Sequence, residues 1–293
     1  MKPPRFEYAA PTSLAEALEL LAEHGDNAKV LAGGQSLMPM LNMRLARPAV
    51  LIDVNRIPDL DYIRRSGDDV AIGALARHHD AAVSAEVTQA CPLLACALPH
   101  VGHPAIRYRG TICGSLAHAD PAAELPAVAT ALGATMVARS VRGVRSIAVA
   151  DFFRSWFTTA LEPDELLVEV RLPAQSAESG SAFLEVARRH GDFAQVGIAA
   201  TVRSDGDRLS DVRLVAVAAG PVPVRLHQAE AVLEGRTPGD EVLAAELAGV
   251  EVAPSSDIHS SAEYKRTVLG VLLRRAVRAA VDDSRSRGGS ARR

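Results

Sequence analysis

Cysteine is scarce in this 293-residue sequence: Cys91, Cys96 and Cys113 are odd in number and lack Cys-x-x-Cys spacing. This argues against a disulfide framework and a structural zinc site. It also leaves too few thiolates for an iron–sulfur cluster held by four. Charge of one sign is missing too, since 32 basic side chains face 35 acidic ones for a net charge of -3. No general attraction for nucleic acid or an anionic membrane surface is expected. No apolar run approaches the ~20 residues that span a bilayer, and the opening lacks the continuous apolar stretch of a secretion signal, so the expected location is cytoplasmic. Neither Gly-x-Gly-x-x-Gly nor Gly-x4-Gly-Lys-Ser occurs, which removes the defining residues of two nucleotide-binding folds. His78-His79, His100, His103 and His118 show no ligand spacing, and no metal site is expected.

What is present suits a folded chain: 48% hydrophobic and 23% charged residues, with room for two or three domains at roughly 150 residues each. Ser13 to His24 reads as an amphipathic helix, with Leu14, Ala17, Leu18 and Leu21 on one face and Ser13-x-x-Glu16 as a capping box. Strands at Lys29–Ala32 and Ala49–Val54 follow it, giving a compact α/β unit over residues 1–58. Residues 59–175 read as α+β, with strands at Val70–Leu75, Thr135–Ala138 and Leu166–Leu172 and helices near Thr88–Leu98 and Ala122–Leu132. Between these lies a long aperiodic stretch, His103–Ser115, which reads as a loop. The small polar segment Ala174–Ser181 is a linker candidate. A third unit over 176–283 combines strands at Ala194–Val202 and Val212–Ala218, joined through Ser204–Asp207, with helices at Leu226–Leu233, Asp240–Leu247 and Ala262–Val281. Residues 284–293 read as a disordered tail.

Two short segments can carry chemistry. Ala32-Gly-Gly-Gln-Ser36 leaves a strand with two glycines that admit positive φ and let backbone come close to a ligand. Such a turn aims consecutive N–H groups at an anion, with the Ser36 hydroxyl as an added donor, or it is an ordinary strand-to-helix turn. Thr111-Ile-Cys-Gly-Ser115 has the same chemistry, and two such nests suit a pyrophosphate. Just beyond, Asp120 and Glu124 offer carboxylates to ribose or ribityl hydroxyls. Asp120 before Pro121 reads equally as a helix cap. Met38, Met40 and Met43 read as adaptable filler of a core or subunit interface.

Taken together, Ala32–Ser36 and Thr111-Ile-Cys-Gly-Ser-Leu-Ala-His-Ala-Asp-Pro-Ala-Ala-Glu-Leu-Pro126 resemble the two FAD-binding loops of the medium subunit of carbon monoxide dehydrogenase-type molybdenum hydroxylases, the module that also forms the flavin domain of xanthine dehydrogenase. Ser181-Ala-Phe-Leu-Glu-Val-Ala-Arg-Arg-His-Gly-Asp-Phe-Ala194 is similar to the start of that family's C-terminal domain, and the resemblance covers nearly the whole chain. It implies an α+β fold of the vanillyl-alcohol-oxidase type, in which two α/β subdomains clasp FAD and a C-terminal α+β domain packs beside them. The implied cofactor-binding residues are Lys29, Val30, Leu31, Ala32, Gly33, Gly34, Gln35 and Ser36 from the first loop, Thr111, Ile112, Cys113, Gly114 and Ser115 from the second, and Asp120 and Glu124. No catalytic side chain is implied.

The resemblance further implies non-covalent FAD, with molybdopterin on a large partner subunit and two (2Fe-2S) clusters on a small one, assembled as a dimer of heterotrimers. The chain would take electrons from the clusters and pass them to an external acceptor. Two departures stand out. Xanthine dehydrogenase-like domains carry a lysine near the flavin just before the Arg-Arg pair, whereas Phe183-Leu-Glu-Val-Ala187 has none, leaving Arg188 or Arg189 as substitutes. Cys113 stands where the loop commonly has glycine, and reads as a small packing residue or a redox thiol. The rival readings are a stand-alone FAD oxidase or dehydrogenase of the same fold and a nucleotide-binding module without redox work.

Overall fold

The computed structural model describes residues 2–205, 208–239 and 241–291. The chain begins with β1 (Glu7–Ala9), α1 (Leu14–His24), β2 (Ala28–Leu31), α2 (Leu37–Asn42) and β3 (Val50–Asp53). The three strands form a parallel sheet in the order β1-β3-β2. Ser13 caps α1 by accepting from the Glu16 amide at 3.2 Å, and the Glu16 carboxylate reaches back one residue further, to the Thr12 amide at 2.9 Å. Ala17, Leu18 and Leu21 are buried. Each leucine so buried stabilises the unit by about 1.5–3 kcal/mol.

The second unit comprises β4 (Ile63–Ser66), β5 (Asp69–Gly73), α3 (His78–Val83), α4 (Ala85–Ala90), α5 (Pro92–Ala97), α6 (Pro104–Arg107), α7 (Ile112–His118), α8 (Glu124–Leu132), β6 (Thr135–Ser140), β7 (Gly143–Ala148), α9 (Val149–Phe152), β8 (Phe153–Ser155), β9 (Thr158–Thr159) and β10 (Leu166–Pro173). Five strands make an antiparallel sheet in the order β4-β5-β10-β6-β7, and β8 and β9 form a separate hairpin. The single helix read over Thr88–Leu98 is broken into α4 and α5. Pro92 has no N–H to continue α4 and pushes Cys91 out of helical geometry, to φ -132° and ψ 59°. The stretch read as a loop, His103–Ser115, instead holds α6 and the start of α7.

The third unit has β11 (Ser179–Val186), β12 (Val196–Asp205), β13 (Arg208–Val217), β14 (Val224–Arg225), α10 (His227–Leu233), α11 (Glu241–Glu251) and α12 (Ala262–Ala291). Its antiparallel sheet runs β11-β12-β13-β14. Alternation along its strands serves two cores: Ala199, Val215 and Val217 face the core of the first two units, while Ile198, Ala200, Leu214 and Ala216 face α10 to α12. Gly180 lets α12 lie against β11, because a methyl there would overlap the Ala280 carbonyl.

The helix also overturns the expected tail at Ser284. α12 continues to Ala291, and Ser284 is buried, donating to the Glu178 carbonyl at 2.7 Å and accepting from the Ser204 amide at 3.0 Å. The Ser204–Asp207 turn falls partly outside the described residues, as do Asp240 and the last two arginines. Among the described residues, no helix is long and apolar enough to cross a membrane.

Candidate functional site

A cleft of about 710 Å³ opens between the first two units and is bordered by the third. That volume lies within the range of small-molecule and cofactor sites, roughly 300–1,000 Å³. Its floor is the loop after β2. Gly34 has φ +73°, a value that favours glycine, and Gly33 touches backbone from the second unit. A methyl on Gly33 would overlap the Arg109 carbonyl oxygen and sit 2.6 Å from the Gly110 Cα. The Gln35 side chain donates back to the Gly33 carbonyl at 2.9 Å, which fixes the loop's curvature. The amides of Gly33, Gly34, Gln35 and Ser36 and the Ser36 hydroxyl have no acceptor among the described residues. They form an open set of donors at the start of α2, the geometry that anions select.

The opposite wall is the start of α7. Thr111 caps this helix, accepting from the Gly114 amide at 3.1 Å, so its hydroxyl already serves the fold. Ser115 lines the cleft one turn along. Cys113 also lines it, yet its thiol is fully buried and turned to the Ile72 carbonyl at 3.7 Å, and burial pushes its pKa up. A neutral thiol with no cysteine partner among the described residues is a packing group.

Twelve of the fifteen residues singled out from the sequence line this cleft: Lys29, Val30, Ala32, Gly33, Gly34, Gln35, Ser36, Thr111, Cys113, Gly114, Ser115 and Glu124. Leu31, Ile112 and Asp120 do not. The Leu31 side chain packs at Gly34, where an added methyl would meet its Cδ1 at 3.0 Å, and Ile112 is buried in the core. The Asp120 carboxylate instead accepts from the Ala122 amide at 2.9 Å. It closes a local turn and is not the cap of a helix starting at Pro121, since α8 begins at Glu124.

Glu124 is buried in the first turn of α8. Burial holds its pKa at about 7, with Glu185 and Asp120 adding like charge and His100 opposing it. His100 Nδ1 lies 3.3 Å from Glu185, and that contact raises the imidazole's pKa. Neither Arg188 nor Arg189 lines the cleft; both are exposed. The segment contributes Gly191 and Phe193 to the wall instead.

Several lining residues escaped the sequence reading. His78 donates through Nε2 to the Thr111 carbonyl at 2.9 Å, and burial drops its pKa to about 4, so the ring is neutral at pH 7. Its Nδ1 is buried with no hydrogen-bond partner among the described residues. Phe157, at the tip of the β8–β9 hairpin, packs against His118 with ring centroids 5.1 Å apart. The available signal was the aromatic pair Trp156-Phe157, closely following Phe152-Phe153. Met40 lines the cleft, whereas Met38 and Met43 are exposed.

Two loops brought together by glycine, a run of amides with no acceptor among the described residues and a cleft of cofactor size together fit an extended phosphate-bearing cofactor, and the comparisons agree. Residues 4–175 match the family described as the FAD binding domain in molybdopterin dehydrogenase, and residues 181–280 match the CO dehydrogenase flavoprotein C-terminal domain. The chain is 43% identical to the 6-hydroxypseudooxynicotine dehydrogenase complex subunit alpha of Paenarthrobacter nicotinovorans, covering 97% of each. It superposes with a TM-score of 0.93 and 40% identity on a chain of carbon monoxide dehydrogenase from Hydrogenophaga pseudoflava, covering 96% of this chain and 98% of that one. The match to quinoline 2-oxidoreductase from Pseudomonas putida 86 has a TM-score of 0.93 and 37% identity, covering 97% and 99%. The fold is therefore the vanillyl-alcohol-oxidase-type FAD-binding architecture with its C-terminal domain, and the chain belongs to the family of FAD-binding medium subunits of molybdenum-dependent dehydrogenases.

Proposed function

We propose that this chain is the electron outlet of a heteromeric molybdenum hydroxylase. It would receive electrons from iron–sulfur clusters on a small subunit, fed by a molybdopterin centre on a large one, and deliver them to an external acceptor. The observation that carries this reading is the convergence of two loops, distant in sequence, on one cleft with unpaired donors on its floor. FAD, held non-covalently there, supplies the redox chemistry, and the protein supplies binding, orientation and electrostatics.

Each role follows from what a side chain can do. The Gly33–Ser36 amides and the Ser36 hydroxyl hold pyrophosphate oxygens. Ser115 donates from the facing wall. Glu124, when ionised, accepts from ribose or ribityl hydroxyls. Gln35 shapes its loop by donating to the Gly33 carbonyl, and Thr111 accepts from the Gly114 amide, which leaves its O–H free to donate into the cleft. Cys113 fills space. Asp120 keeps its local turn, and the proposed binding set no longer includes it.

Purification of the full chain with its co-expressed partners tests both halves. The expected result is a yellow complex that releases FAD on acid denaturation and contains two further subunits bearing molybdenum and (2Fe-2S) clusters. A colourless chain that takes up no FAD overturns the cofactor assignment. A yellow chain that purifies alone and oxidises a substrate by itself overturns the subunit assignment in favour of the stand-alone oxidase.

A further inference from the structure

Two residues outside the cleft wall link its two loops. Asn55 follows β3, and its Nδ2 donates to the carbonyls of Ala32 at 2.9 Å and Leu31 at 3.3 Å, the last residues before the glycine loop. The same amide is oriented by Asp53 Oδ1 at 2.6 Å, and Asp53 accepts in turn from the Tyr8 hydroxyl at 2.5 Å. Asn55 Oδ1 accepts from Arg77 Nη2 at 2.7 Å, while Arg77 Nη1 donates to the Arg109 carbonyl at 2.5 Å. That carbonyl is the one a Gly33 methyl would overlap.

Arg77 is itself anchored to the second segment. Its neighbours make two backbone bonds to it, from the His78 amide to the Gly110 carbonyl at 3.0 Å and from the Ile112 amide to the Ala76 carbonyl at 3.1 Å. A continuous chain therefore runs from the Arg109 carbonyl through Arg77 and Asn55 to Ala32. It crosses between the first two units at the point where Gly33 and Gly110 touch. Backbone contact there prevents the loops from closing further, and the Asn55–Arg77 strut prevents them from opening. Neither strut residue lines the cleft.

We infer that Asn55 and Arg77 are positioning residues that set the spacing between the two halves of the pyrophosphate cradle, so that FAD meets donors already in place. The inference rests on the FAD reading of the cleft. A preformed site binds more tightly because its ordering has been completed in the folded protein. Loss of either strut residue should therefore weaken a ligand that spans both loops without any contact to it being removed.

The test titrates FAD into the deflavinated full chain, following flavin fluorescence, for wild type, Arg77→Ala, Arg77→Lys, Asn55→Ala and the double variant. Melting of each FAD-free chain is measured alongside. Each alanine variant is expected to raise the FAD Kd about tenfold, because binding must then complete the ordering that the strut completes in the wild type. The double variant should be little worse than either single, since both break one strut. Arg77→Lys, which keeps the charge and one donor arm, should recover part of the affinity, and the 31P resonances of bound FAD should move in Arg77→Ala. Melting of the FAD-free chain should stay near wild type. Wild-type affinity in Arg77→Ala overturns the inference, as does a loss fully matched by lower stability of the FAD-free chain or additive effects of the two substitutions. If wild type itself binds no FAD, the cofactor reading has failed instead.

Discussion

Replacing Glu124 with glutamine should change how the FAD-free chain responds to pH, and the structure sets the size of the change. The carboxyl is 4% exposed and lies near two other acids, Glu185 and Asp120, with His100 opposing them. Burial moves its pKa from the ordinary 4.5 to about 7. The folded state therefore binds the proton more tightly than the unfolded state does between those values. Under linkage, stability must fall as pH rises through that window, with the full penalty present above pH 7. At 1.36 kcal/mol per pH unit the penalty is about 3 kcal/mol. Glutamine is neutral throughout, so the variant and wild type should be of similar stability near pH 5, and the variant should be more stable by up to about 3 kcal/mol at pH 8. His100 also has a raised pKa and loses its contribution as pH rises; the Glu185 contact that chiefly raises it is common to both proteins, and only the smaller part due to ionised Glu124 is lost in the variant. Urea unfolding of the deflavinated chain from pH 5 to pH 8 measures this directly. Parallel curves for the two proteins would show that Glu124 does not hold its proton as the buried site requires.

Other substitutions test separate parts of the account. Gly33→Ala forces a methyl into the Arg109 carbonyl, so the loops must part; FAD titration should show an affinity loss of at least about tenfold, equal to 1.4 kcal/mol. Cys113→Ala should leave the flavin spectrum and the rate of electron transfer to a dye acceptor unchanged, with a modest fall in melting temperature from the small cavity. A large loss of electron transfer would restore the redox reading of that thiol. Gly180→Ala should lower stability by about 1–3 kcal/mol in urea unfolding, because α12 must lift off β11.

The glycine loop was legible in the sequence because its need is local: Gly34 takes a positive φ, and an apolar strand and an apolar helix bracket it. The helix at Ser13 was legible for the same reason, as its cap and its buried face lie within twelve residues. The stretch from His103 to Ser115 was misread because α6 has four residues and α7 seven, too few turns to show helical periodicity. β7 escaped notice because four of its six residues are consecutively exposed, leaving no alternation to detect.

The site divides along the same line. Most residues on the two motifs line the cleft, but tertiary packing removes Leu31, which packs at Gly34, and Ile112, which joins the core. His78 was set aside as one histidine among several, since its role depends on meeting Thr111, 33 residues later. Arg77 and Asn55 carry no motif at all. Only the folded chain brings them to one strut, and the same holds for Phe157 and Gly191 in the cleft wall.

The central claim is that electrons leave the complex through FAD held by this chain. The most direct measurement compares the intact complex, the deflavinated complex and the FAD-reconstituted complex, supplied with whichever of carbon monoxide, an aldehyde or an N-heterocycle it oxidises. Cluster reduction is followed by absorbance, and reduction of a tetrazolium dye by its colour. The account predicts that deflavination leaves the clusters reducible by substrate, abolishes transfer to the dye, and that added FAD restores it. Undiminished dye reduction in the deflavinated complex would contradict it.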